Sequence, residues 1–196
     1  PDPPAVPTID LTVPATVGAE GVTATAAVNA AAGAKSVVFY LGTKTVCTDT
    51  EAPFDCLIKP TGDDVGSQTV RAVVTDTLDR TAEDSGSVTV AKFTPTLKLT
   101  VKKSGRKKRL IKGNLVLPSG VTAAQACSAP GTATVNVRGG RIPTVDRQVK
   151  LDSNCAFKVT VPVGVPKKGK KFKLKTTVRY GGNEVLAGAT STRRSS

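Results

Sequence analysis

The sequence predicts an all-β chain built as two tandem β-sandwiches. Three observations carry that prediction: short runs of period-2 alternation along the whole chain, turn residues spaced between them, and a reversal of charge near the midpoint. Residues 1–93 hold 6 Lys and Arg against 12 Asp and Glu, a net −6, whereas residues 94–196 hold 22 against 3, a net +19. So sharp a change marks two modules with different surfaces. A chain of 196 residues suits two domains of about 100 each.

The opening PDPPAVPT has four prolines in eight residues and predicts an extended spacer over residues 1–8. The first sandwich is expected over residues 9–93. Alternation places Ile9, Leu11 and Val13 on one face of a strand, then Val22, Ala24, Ala26 and Val28, and later Val70, Ala72 and Val74. The apolar run SVVFYL suits a central strand, and SVTVAKF closes the half. Gly18, Gly33, Gly42, Gly62 and Gly86 fall between the runs as turn positions. About seven short strands of this kind read as a sandwich. The second sandwich, residues 94–196, is written in TLKLTV, LIKGNLVL, TATVNVR, RQVKLD, AFKVTVPV and KFKLKTTVRY. Gly139-Gly140 is expected as a hairpin turn. The boundary is expected near Lys92–Pro95, because Pro95 cannot donate to a ladder. One stretch, SGVTAAQAC, reads as a single helical turn capped by Ser119. The polar end is expected to be a disordered tail from about residue 190.

Composition removes whole classes of chemistry. Histidine is absent, and with it the commonest general base and every Ser–His or Cys–His pair. The carboxylate groupings are Asp63 with Asp64, Asp76 with Asp79, and Glu83 with Asp84. All fall in turns or at strand ends, where acids are ordinarily solvated. Asp76, Asp79 and Asp84 are the set from which a calcium site could be assembled, though no EF-hand or related spacing supports it. No catalytic residue, no cofactor and no metal site is therefore expected. Trp and Met are absent too. A chain without Met is expected to be a segment or processed product, tethered by its Pro-rich opening to other domains of a larger parent protein. No apolar run approaches the roughly 18 residues of a membrane span.

Four cysteines fall two to each half. A zinc site favours C-x-x-C pairs and usually histidine, and a redox pair favours C-x-x-C at a helix start. Cys47 ends one strand and Cys56 begins the next around Ala52-Pro53, which places the thiols across a hairpin and within disulfide reach. The expectation is one staple per half, Cys47–Cys56 and Cys127–Cys155, with metal and redox roles as the alternatives. Loop entropy makes them worth about 2.5–3 and about 3.5 kcal/mol, against a whole-domain stability of about 5–15 kcal/mol. Disulfides imply an oxidising compartment, hence an extracellular or cell-surface location.

The stretches VVFYLGTKTVCTDTEAPFDC and GSQTVRAVVTDTLDRTAEDSGSVTV resemble the bacterial immunoglobulin-like domains of secreted and cell-surface proteins. The likeness runs from about Ile9 to Lys92. Its most specific piece is TDT-x-AP-F, and the paired cysteines resemble the disulfide-bearing variant of actinobacterial proteins. The loop DTLDR departs from the family's usual D-x-x-G turn. The second half is similar to a related immunoglobulin-like sandwich, chiefly through RYGGNEVL. The resemblance implies a non-catalytic extracellular spacer or attachment module and supplies no ligand.

The basic half offers a second function. Arg106, Lys107, Lys108 and Arg109 crowd one hairpin, with Lys102, Lys103 and Lys112 beside them. Lys167, Lys168, Lys171, Lys173, Lys175 and Arg179 crowd another stretch, where alternation with Phe172 and Leu174 puts Lys171, Lys173 and Lys175 on one face. Such a surface would draw an anionic cell-wall polymer or polysaccharide. The plainer reading is that lysines keep exposed faces and edges soluble. Specific nucleic-acid recognition is not expected, since the sequence offers no groove-reading helix and few rings for stacking. Sugar recognition by stacking would rest on Tyr180, the ring expected to be most exposed.

Overall fold

The computed structural model describes residues 2–129, 131–139, 143–165, 168 and 173–195. The chain separates into two compact units, Pro1–Ala91 and Lys92–Ser196. Each is a two-sheet sandwich, so the architecture is all-β with two immunoglobulin-like modules in tandem.

The first unit contains β1 (Thr8–Thr12), β2 (Thr16–Val17), β3 (Val22–Asn29), β4 (Ala34–Leu41), β5 (Lys44–Asp49), β6 (Phe54–Ile58), β7 (Gly66–Asp76) and β8 (Thr81–Val90). One sheet has the order β1-β3-β6 and the other β2-β8-β7-β4-β5. The opening strands divide between the sheets: β1 runs antiparallel to β3, and β2 runs parallel to β8. Alternation fixes the inner faces. Ala24 and Ala26 of β3, Val37 and Phe39 of β4, and Val70, Ala72 and Val74 of β7 are buried. Tyr40 points the other way and lies under the Arg71 guanidinium, 4.2 Å from ring centre to Cζ.

The second unit repeats the topology. It contains β9 (Thr96–Lys103), β10 (Lys108–Val116), α1 (Ala123–Cys127), β11 (Thr132–Arg138), β12 (Val145–Lys150), β13 (Ala156–Pro162), β14 (Leu174–Tyr180) and β15 (Ala189–Ser195). The orders β13-β10-β9 and β12-β11-β14-β15 match those of the first unit strand for strand, β2 excepted. The core gathers Ile111, Leu115, Val135, Phe157, Val161, Leu174 and Val178. Within β10, Gly113 sits directly opposite Phe157 of β13, whose ring edge occupies the space a β-carbon would need.

Several expectations change. Residues expected as a tail from about 190 form β15, because Leu174 to Tyr180 offer a ladder that Ala189 to Ser195 complete. The helical turn is capped by Thr122 rather than Ser119: its hydroxyl accepts the Gln125 N–H at 3.3 Å, while the Gln125 side-chain oxygen accepts the Thr122 N–H at 2.9 Å. The Pro-rich opening does not run free of the sandwich. Arg80 donates to the Pro4 and Ala5 carbonyls at 2.7 and 2.9 Å, Pro7 is buried and β1 starts at Thr8. Gly139 adopts φ +92°, as a hairpin turn requires; Gly140 lies outside the described residues.

Candidate functional site

The cysteines close two disulfides, Cys47–Cys56 and Cys127–Cys155, with Cα separations of 6.3 and 5.5 Å. The first does not cross a hairpin ladder, as the spacing suggested. Cys47 sits on β5 opposite Phe39, and Cys56 sits on β6 opposite Ala24, so the bond joins one sheet to the other. The turn between them crosses the sandwich and is held by Asp49, whose carboxylate accepts the Glu51 and Asp55 N–H groups at 3.1 and 3.0 Å. The second bond ties α1 to Cys155, which immediately precedes β13. Each staple thus has one end at the equivalent strand of its unit, β6 or β13.

The acidic groupings are taken apart by their partners. Asp76 completes the inward row Val70, Ala72, Val74 and is fully buried. It accepts the Leu78 and Arg80 N–H groups, both at 2.9 Å, and the Arg80 guanidinium at 2.7–2.8 Å. Desolvation pulls its pKa upward, but the Arg80 amide and side chain, the Leu78 amide and the guanidinium charge together outweigh it and hold the carboxyl below its ordinary value. Asp79 instead faces Lys35 at 2.7 Å. Asp84 accepts the Leu11 N–H at 2.8 Å, satisfying a donor on the free side of β1; that bond, and one from Ser85, lower its pKa. Asp64 takes Lys44 at 2.7 Å and the Thr61 amide at 2.8 Å, and these prevail over desolvation to lower its pKa also. Asp76, Asp79 and Asp84 therefore do not converge, and among the described residues no three His, Cys, Asp or Glu side chains gather to hold a metal. No helix among them is long and apolar enough to cross a membrane.

The basic residues divide among three environments. Arg106, Lys107 and Lys108 are exposed on the β9–β10 hairpin. Arg109 is not part of that surface: it shares the inward parity of Ile111 and Leu115, is only 5% exposed, and donates to the Lys108 carbonyl at 3.1 Å. Lys168, Lys173, Lys175 and Arg179 are exposed, whereas Lys167 and Lys171 lie outside the described residues. Lys175 and Arg179 project from the outer face of the four-stranded sheet, and this face holds three cations not singled out from the sequence: Lys150 of β12, opposite Thr132, and two beside Lys175. Arg138 of β11 and Arg194 of β15 are the direct cross-strand partners of Lys175. Tyr180 is 3% exposed, not the exposed ring expected; it has inward parity with Leu174 and Val178, and burial pushes its phenol pKa up. Phe54 and Phe39 are buried as well.

Two shallow clefts meet at Lys175. One, about 100 Å³, is lined by Asn136, Arg138, Lys175, Thr177 and Arg179. The other, about 500 Å³, is lined by Lys173, Leu174, Lys175, Arg194 and Ser195. Asn136 links the face together: its amide donates to Asp146 at 2.6 Å, and its carbonyl oxygen accepts Arg138 Nε at 3.1 Å. Among the described residues no carboxylate pairs with Lys175, Arg179 or Arg194.

Two sandwiches of matching strand order, each with its own disulfide, define a tandem immunoglobulin-like chain. Residues 7–72 match the family described as bacterial Ig domain, so the first unit is a bacterial immunoglobulin-like domain. Among curated proteins none matches the chain. Similar solved structures include fibronectin(III)-like modules of Clostridium thermocellum CbhA, 25% identical, covering 43% of this chain and 100% of that one, with TM-score 0.37. A tetra-tandem repeat from the extending region of a large adhesion protein is 16% identical and covers 97% of this chain and 50% of that one, with TM-score 0.47. The chicken interferon gamma receptor alpha chain is 11% identical over 98% and 95%, with TM-score 0.46. The assignment rests on the family match and the strand order.

Proposed function

We propose that this chain is a non-catalytic spacer or attachment region of a larger secreted or cell-surface protein. The observation that carries the reading is the pair of staples, one inside each sandwich and each anchored at the equivalent strand. Disulfides of this kind persist outside the cytosol and stabilise sandwiches with few aromatic residues. The absence of histidine from the sequence and the engagement of Asp64, Asp76, Asp79 and Asp84 by their own neighbours support a role without catalysis. Its partners are the other domains of the parent chain. The test is protease shaving of intact producing cells, with non-reducing peptide mapping of what is released. Surface-derived peptides bearing both linkages are expected. Material found only inside the cell with reduced thiols would overturn the reading.

A second reading is favoured by one observation, the net +19 on residues 94–196. In it the second unit also attaches to an anionic cell-wall or glycan polymer by charge. It is tested by retention of the whole chain on an anionic matrix at physiological salt.

A further inference from the structure

We infer that the outer face of the β12-β11-β14-β15 sheet is a binding site for an anionic polysaccharide, built on the cross-strand row Arg138–Lys175–Arg194. The inference rests on the second reading above and gives it a place. Arg138 pairs directly with Lys175, and Lys175 directly with Arg194, so three cations stand side by side on three adjacent strands. Strand spacing puts neighbours roughly 5 Å apart and the row roughly 10 Å across. Like charges in direct cross-strand pairs destabilise a sheet. Folding alone gives no reason to accept that cost twice in one row.

Edge protection supplies a reason for Arg194 alone, which lies on the edge strand β15. Charged side chains guard free sheet edges against pairing with another chain, but Arg138 and Lys175 lie on β11 and β14, the two interior strands of this sheet. Nor is the charge neutralised within the face. Its one acid among the described residues, Asp146, stands two strands from Lys175 and is occupied by Asn136.

The next row of the outer face, roughly 7 Å along the strands, is Asp146–Asn136–Thr177–Thr192. Apart from Asp146 at its end, engaged by Asn136, it is uncharged and rich in donors and acceptors, with the two threonine hydroxyls 3.1 Å apart. Beyond it lies Arg179, paired with Thr134 and Thr190. Charge, neutral hydrogen-bonding groups and charge again form a pattern that suits a polyhydroxyl chain carrying sulfate, phosphate or carboxylate at intervals. Arg138 and Arg194 provide the planar forks that take such oxyanions two at a time. Both clefts share Lys175 in their lining, and the smaller joins it to Arg138, Asn136, Thr177 and Arg179. Among the described residues the face presents no aromatic ring, which single-stranded nucleic acid would need for stacking; Tyr180 points into the core.

The test uses the whole chain and two variants that each remove three charges. One is Arg138→Gln/Lys175→Gln/Arg194→Gln. The other, on the β9–β10 hairpin, is Arg106→Gln/Lys107→Gln/Lys108→Gln. Binding to heparin, as a sulfated polysaccharide, is measured by titration between about 50 and 200 mM salt, with an oligo(dT) strand in parallel. Losing three contacts lowers the log–log salt slope by about 2–3, so the affinity drop across that range becomes on the order of 20–40-fold shallower. The row variant is expected to show that change and to melt no lower than the parent, since it relieves repulsion. The hairpin variant is expected to keep most of the slope. If the parent does not bind heparin, the polyanion reading falls and this site with it. If the parent binds but the hairpin variant loses as much as the row variant or more, the reading stands and the row is overturned. Oligo(dT) bound as tightly as heparin would overturn the choice of polysaccharide.

Discussion

Asp49, Asp64, Asp76 and Asp84 each serve the fold by accepting backbone N–H groups that strands and turns leave over. All four belong to the first unit and all four are held below the ordinary carboxyl value of 3.8. A carboxyl depressed on folding binds its proton more readily in the unfolded chain. Its stabilisation is complete above about pH 4 and is lost as pH falls through the folded-state values below that. The first unit is therefore expected to melt at steadily lower temperature from about pH 4 downward. Asp76→Asn is expected to lower its melting temperature at neutral pH and flatten the acid slope, as calorimetry across the acid range would read. Equal slopes for parent and variant would show that the Asp76 bonds contribute little. Asp76 was partly legible in the sequence, where alternation from Val70 through Val74 gives it inward parity. Arg109 was legible in the same way from Ile111 and Leu115, yet the local density of charge suggested a surface. Tyr180 beside two glycines suggested exposure, but parity with Leu174 and Val178 decided it.

At the scale of elements, alternation identified strands and not the sheets they join. Cys47 and Cys56 flank a short turn, which reads as a hairpin, but β5 pairs with β4 while β6 pairs with β3. Period-2 patterning says which residues face inward and is silent on which neighbour takes the hydrogen bonds. The same silence hid the Arg138–Lys175–Arg194 row, whose members are far apart in sequence and meet only through register. Arg194 was further obscured because a polar Ser, Thr and Arg stretch looks like a tail. Register also makes Gly113 a constrained position. With Phe157 filling the space above it, Gly113→Ala forces the ring or the strand to move, and overpacking of this kind costs about 1–3 kcal/mol. Chemical denaturation of the whole chain is expected to show that loss in the unfolding of the second unit. An unchanged midpoint would mean that the ring swings aside without penalty.

Across the whole molecule, the charge reversal and the two cysteine pairs pointed to two modules, and each unit has its own core, strand set and staple. The expected boundary after residue 93 moves to after Ala91, because Phe93 is buried and exchanges backbone hydrogen bonds with Val185 and Ala187 of the second unit. We propose that residues 1–91 and 92–196 fold separately when expressed under oxidising conditions. Cooperative melting and dispersed amide spectra are expected from each. A half that stays unfolded alone, while the whole chain folds, would mean that it depends on the other. The staples carry one more implication, for a chain pulled by its two ends. The Cys47–Cys56 bond withholds nine residues of path and the Cys127–Cys155 bond withholds 28. Those are roughly 30 and 95 Å of contour. Even with both sandwiches undone, the oxidised chain falls short of its full extension by nearly a fifth. Its greatest reach as a tether is set by covalent shortcuts as well as by hydrogen bonds, and a reducing environment would lengthen it without changing a residue.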